Sequence, residues 1–357
     1  MIRAWLLAHK SIAATALSGT VVAAVVATLA VVSGGYSAQH LQLNDAAVWV
    51  ASDAKKALGR ANTQIDSLNS IVPGTGEALD VVQDGQNVLL LDKEANTAAV
   101  VDPATAQAGK SVALPPRSPQ VAVAGDSVAM LSQTTGQLWL TSVSQLEQFN
   151  SGSAPTMDLG GRAVGAMDPS GVLFAYQPGT RNMVRVDLGG QQPATSSEKV
   201  PSRGTGAHIQ LTAAGGQWVL FDPDEKTLWV SGRAIDLAAA LGQDSDPILQ
   251  APSSDGSAVW IATASGLIRV PLDGTAPQRV LGTVSGAPAA PVVVGGCVYT
   301  AWNSGAAWRT CSTPSAGTRS TLSQVPSGAV LAFRVNRDRV VLNDAAARTL
   351  STGLPAT

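Results

Sequence analysis

Cys297 and Cys311 are the residues of this chain whose type and spacing most directly imply chemistry. They flank the apolar runs on either side of Asn303-Ser304-Gly305, and their midpoint falls at Ser304, inside that turn sequence. If the runs are two arms of a hairpin, the cysteines face each other. Directly opposed residues on antiparallel strands have Cα atoms roughly 4.5–5.5 Å apart, a span that a disulfide bridges. A structural disulfide is the preferred reading, with a free buried pair and a redox or metal role as the others. The chain holds three His, and His208 is the one deep in its length. A general base needs an orienting partner and a neighbouring nucleophile, so His208 is read as a surface or satisfied core residue. Asp222-Pro223-Asp224-Glu225 and Asp244-Ser245-Asp246 have the acidic spacing of partial calcium loops. Neither continues into a full ligand set, so both are read as solvated turns. No phosphate-binding Gly loop, G-x-S-x-G elbow or paired-His motif is present. The reading assigns no catalytic, cofactor-binding or metal residue, and no cofactor.

The composition narrows the classes further. Only 13% of residues are Asp, Glu, Lys or Arg, against about a quarter in an average soluble protein. Long charged helices and charge-driven disorder are therefore excluded. A formal net charge of −2 removes the basic excess on which nucleic-acid binding rests, so no nucleic-acid partner is expected. With 35 Gly and 20 Pro, the chain is rich in turns.

One segment points to a membrane. Ser11 to Val32 carries no charge, and as a helix it would span about 33 Å, enough for a bilayer core. Arg3 and Lys10 precede it, while no Lys or Arg follows until Lys55. The positive-inside rule then places the N-terminus in the cytoplasm. A cleaved signal peptide fits less well, because its apolar region is shorter and ends in an A-x-A-like site, where this chain has Tyr36-Ser37-Ala38. The expected layout is a cytoplasmic tail at 1–10, a transmembrane signal anchor at 11–33, a linker at 34–40 and an extracytoplasmic domain at 41–357. Such a compartment permits cysteine oxidation.

The elements that must position these residues emerge when the chain is compared with itself. A short apolar strand, a Gly or Asp turn, a second apolar strand, a loop and a third strand recur from Val81, Val121, Val164, Ile209, Ala251, Pro291 and Leu331. The turns fall at Gly85, Gly125, Gly171, Gly216, Gly256, Gly296 and Asp338, so the period is 40 to 46 residues. That matches one four-stranded propeller blade per unit. The expected fold is an all-β, seven-bladed β-propeller, with six or eight blades as alternatives, preceded by one transmembrane helix. The string Leu-Asn-Asp-Ala-Ala occurs at both Leu41 and Leu342. Both ends therefore offer the same kind of hairpin, and the N-terminal segment is expected to complete the final blade and remove its open edge. Ser52 to Asn69 and Ile235 to Leu241 are read as short helical decorations. The recurrent Trp residues, Trp49, Trp139, Trp218, Trp229, Trp260, Trp302 and Trp308, are read as packing between blades.

Val88 to Pro115, VLLLDKEANTAAVVDPATAQAGKSVALP, resembles the YVTN type of bacterial surface propeller repeat. The order of basic tail, Ala/Val-rich anchor, LNDAAVWV and repeats ending in RVVLNDAA is similar to the N-terminal part of actinobacterial membrane-anchored proteins with Ig-like and fibronectin type III domains. The excess of Arg over Lys agrees with a high-GC origin. This resemblance implies a non-catalytic binding or scaffolding module of the cell envelope, whose partner is a protein or an envelope glycan. The alternative is a propeller hydrolase or lyase acting on extracellular or cell-wall polysaccharide. Convergent carboxylates in a central channel would mark the alternative; walls of Ala, Val and Ser would not.

Overall fold

The computed structural model describes residues 47–62, 67–117, 119–189, 193–202, 208–311, 317–322, 325–326 and 328–344. All lie in the compact unit Asp45–Thr357. The anchor expected at 11–33, with its tail and linker, falls outside the described residues. Among the described residues no helix is long and apolar enough to cross a membrane.

The unit is an all-β, seven-bladed propeller. Blade 1 starts at strand Leu79–Asp84 and has five strands, two of them two-residue pieces that share one partner. Five four-stranded antiparallel sheets follow, starting at Gln120–Ala124, Val164–Met167, Gln210–Ala214, Ile248–Leu249 and Val292–Val294. Each is laid down from the centre outwards. In blades 1 to 5 the second strand is the most buried, as in Val172–Gln177, Gln217–Asp222 and Ala258–Thr263, because a neighbouring blade covers each of its faces. This is why the second strands read as nearly continuous apolar runs rather than as alternating ones.

Two of the inner turns show how tight the connections are. Gly215 and Gly216 have φ of 57° and 73°, and Gly295 and Gly296 repeat these values. Two positive φ values in succession are what a two-residue type I′ hairpin turn demands. A Cβ on Gly215 would also lie 2.5 Å from the Cα of Gly256, so this pair of glycines lets adjacent turns touch. Gly256 itself does not mark a tight turn, in contrast to the expectation. Its blade crosses from Leu249 to Ala258 by a longer excursion, held where Ala214 bridges Ser253 in parallel.

The seventh blade is composite and contains both ends of the described chain. Its inner part is the hairpin of Leu331–Asn336 and Arg339–Asp344. Against this lies a three-stranded N-terminal sheet, β1 (Ala47–Ser52), β2 (Ala57–Asn62) and β3 (Ser67–Pro73). Among the described residues no ladder joins the two. Among the described residues the N-terminal segment meets the last hairpin by stacking, with Val48, Val50, Ala61 and Leu68 around Val341. The helix expected from Ser52 to Asn69 is replaced by β2 and β3, where Leu58 packs towards blade 1 and Ala61, past a register shift at Arg60/Ala61, packs towards Val341. The other decoration does contain a helix, Ala238–Leu241, after strand Arg233–Asp236.

Seven of the eight Trp lie among the described residues. Trp49, Trp139, Trp218, Trp260, Trp302 and Trp308 are buried, and Trp229 is partly so. Trp260 and Trp308 meet across blades 5 and 6 with ring centroids 6.0 Å apart. Trp302, from blade 6, donates through Nε1 to the Thr263 carbonyl of blade 5 at 2.8 Å. The tryptophans are thus packed as mortar between strands and blades, and the indole N–H groups of Trp139, Trp218 and Trp302 each find an acceptor.

Candidate functional site

The inner strands surround a central channel of about 540 Å³. Its wall is chiefly Val and Ala, with Phe333 and Met167, interrupted by the charged residues Asp80, Asp84, Asp168, Arg334 and Arg337. These follow from the blade pattern, since an inner strand has one face towards its neighbours and one edge of the pleat towards the axis.

Each of the channel's three carboxylates is held in a structural bond. Asp80, on blade 1, pairs with Arg334 of the C-terminal hairpin, and its other oxygen meets Lys93 Nζ at 2.6 Å. Asp84 accepts the Gly125 amide of blade 2 at 2.6 Å. Asp168 is 3% exposed and closes its own turn, accepting from the Ser170 amide, the Ser170 hydroxyl and the Val172 amide at 2.7–3.0 Å. Among the described residues no group of three or more His, Cys, Asp and Glu is arranged to hold a metal ion.

The sequence-singled residues lie elsewhere. Cys297 and Cys311 are brought together at the open end of the blade 6 hairpin, with Cα atoms 3.9 Å apart and the sulfurs at bonding distance. Val298 pairs with Thr310 just inside them, so the register is the one centred on Ser304. The pair is placed to form a disulfide. His208 is exposed and makes one contact, Nδ1 to Asp224 Oδ1 at 3.3 Å. Asp222 caps a turn, accepting the Asp224 and Glu225 amides.

Asp244 has a different role from the solvated turn expected for it. Its carboxylate receives the hydroxyls of Thr263 and Ser265 at 2.6 and 2.5 Å and Arg279 Nη2 at 2.5 Å. Arg279 also donates to the Ala240 carbonyl at 2.9 Å, which ties the helix 238–241 to blade 5. Burial opposes ionisation of Asp244, but the hydrogen bonds from Ser265, Thr263 and Arg279 outweigh it and hold the carboxyl below its ordinary range.

A second polar set is invisible in the linear sequence. The edge of β1 away from β2 carries the backbone groups of alternate residues, and side-chain amides occupy them in place of a strand. Asn336 Nδ2 donates to the Ala47 carbonyl at 2.9 Å. Gln83 accepts the Trp49 amide and donates to the Trp49 carbonyl, at 2.9 and 3.0 Å. Asn343 Nδ2 donates to the Ala51 carbonyl at 3.0 Å. These bonds span up to 292 positions of sequence, and only the amide-bearing types Gln and Asn, each both donor and acceptor, could have signalled them.

No protein-family signature matches the chain, and no curated protein is similar to it in sequence. Its fold is similar to that of solved proteins. A virginiamycin B lyase from Staphylococcus aureus, in complex with quinupristin, matches at 12% identity with a TM-score of 0.52, over 74% of this chain and 90% of the lyase. AztD from Citrobacter koseri matches at 12% identity and a TM-score of 0.55, over 84% and 88%. A computationally designed protein matches at 14% identity and 0.56, over 84% and 93%. At these identities the likeness establishes the fold alone.

Proposed function

We propose that the chain is a single-pass membrane protein whose N-terminus is cytoplasmic and whose propeller, residues 41–357, works outside the membrane as a non-catalytic binding platform. Its partner is a protein or a cell-envelope glycan docking at the mouth of the central channel. The observation that carries this reading is the channel wall, where the three carboxylates serve as interblade ties or turn caps and the remainder is mostly apolar. A surface of that kind holds a ligand by shape and main-chain polarity; it lacks the spare acid and base that glycoside chemistry requires. The charge-free segment at 11–33 and the cysteine pair support the exported placement. The YVTN-like repeat pattern supports kinship with the propeller part of actinobacterial anchored proteins.

The test is incubation of the detergent-solubilised chain with fractionated envelope proteins and with cell-wall polysaccharide, reading both retention and soluble product. Saturable retention without product is the expected result. Release of shortened or unsaturated oligosaccharide would establish the hydrolase or lyase alternative instead. Alkaline phosphatase fused after Gly34 should be active; silence there would overturn the topology.

A further inference from the structure

Cys297 and Cys311 share one face of the blade 6 sheet with a second cross-strand pair. Tyr299 lies opposite Arg309, and side chains two positions apart on a strand point to the same face. The cysteines, Tyr299 and Arg309 therefore form a square. Within it the Arg309 guanidinium stands over the Tyr299 ring, 5.5 Å from the centroid, and its Nη2 donates to Cys297 Sγ at 3.8 Å. The two sulfurs thus have unlike surroundings. Cys311 is exposed, whereas Cys297 is half-buried and touches the cation. Thiol–disulfide exchange expels one sulfur as a thiolate, so it is favoured when a positive charge stands beside the sulfur that leaves and the sulfur that is attacked is open to solvent.

We propose that this pair is a thiol–disulfide exchange site whose partner is a dithiol. A thiolate of the dithiol attacks Cys311 Sγ, the Cys297–Cys311 bond breaks, and its electron pair leaves on Cys297 Sγ beside Arg309. The second sulfur of the dithiol, as a thiolate, then attacks the first, and Cys311 is released. The dithiol ends as a disulfide, the two protons it lost are taken up by Cys297 and Cys311, and two electrons have passed to the pair. The same steps in reverse re-form the bond. The exchange is independent of what the channel binds.

The test takes the oxidised full chain in detergent, whose only cysteines are these two, adds glutathione as the attacking thiol, alkylates free thiols early and maps the peptides. Glutathione should sit on Cys311 and the alkyl group on Cys297, in about tenfold excess over the reverse. Reduction by dithiothreitol should rise in proportion to its concentration, as direct attack on the folded chain requires. Arg309→Gln should slow it about fivefold, the effect of one charge about 4 Å away in water-like surroundings, and the gap should narrow in about 1 M salt. Glutathione on Cys297 would overturn the site in the unmodified chain alone. So would a rate that levels off as dithiothreitol is raised, because the chain would then have to open before the sulfurs could be reached. Equal rates for the unmodified and Arg309→Gln chains would also count against it.

Discussion

Replacing both cysteines of blade 6 by serine tests hairpin register and oxidation state together. The two Cα atoms are 3.9 Å apart and 14 positions apart in sequence, with Val298 opposite Thr310 inside them. A bond there closes a loop of about 15 residues and restricts the unfolded chain by about 3 kcal/mol on the entropic account. For a cooperative unit somewhat larger than 250 residues, each kcal/mol moves the midpoint by about 2 °C. The variant Cys297→Ser/Cys311→Ser should therefore melt about 6 °C below the oxidised chain in differential scanning calorimetry. Reductant should bring the unmodified chain down to the same midpoint and leave the variant unmoved. Identical midpoints for all samples, with free thiols titratable in the exported chain, would refute the pairing and the compartment from which it was argued.

Three further expectations follow from close contacts within and between blades. Gly136 has φ of 77°, and a Cβ there would lie 1.8 Å from the Gly160 carbonyl oxygen; Gly136→Ala should cost more than about 2 kcal/mol, measured as a shift in urea midpoint. Trp302→Phe retains a large ring but leaves the buried Thr263 carbonyl without its 2.8 Å donor, so a loss of about 1–3 kcal/mol is expected in the same assay. Because the folded-state pKa of Asp244 is depressed, its contribution is complete above the unfolded value of about 3.9 and fades as pH falls through the lower folded value. Asp244→Asn should accordingly destabilise at pH 7, and the gap to the unmodified chain should narrow below about pH 4; a gap that widens with acidification would contradict the sign.

Much of the ring was legible because blade strands are local. A repeat of 40 to 46 residues, with a Gly or Asp turn in most copies and short apolar runs, specifies most of the blades without long-range information. The Cys297–Cys311 register was readable for the same reason, since both residues flank one turn. Legibility failed where distance entered. The Ser52 to Asn69 segment has the Ala, Leu and Lys of a helix former, but burial of Leu58 and Ala61 between two layers overrides that propensity. Asp244 reads locally as a solvated turn, and its partners Thr263, Ser265 and Arg279 lie 19 to 35 positions away. The bonds of Asn336 and Asn343 depend on a backbone edge at the other end of the chain, and those of Gln83 on a strand 34 positions away, which periodicity does not report. The channel carboxylates were likewise silent until Arg334 and Lys93 were seen to neutralise Asp80.

The binding role at the channel mouth is tested most directly by a photo-crosslinking amino acid placed at Ser254, beside the channel, and at Ser196, on the exposed outer strand Ala194–Lys199. In cells producing the full chain, irradiation should give a discrete adduct with an envelope component from position 254 and none from position 196. Absence of an adduct at 254, or the same adducts from both positions, would contradict a partner docking at the channel.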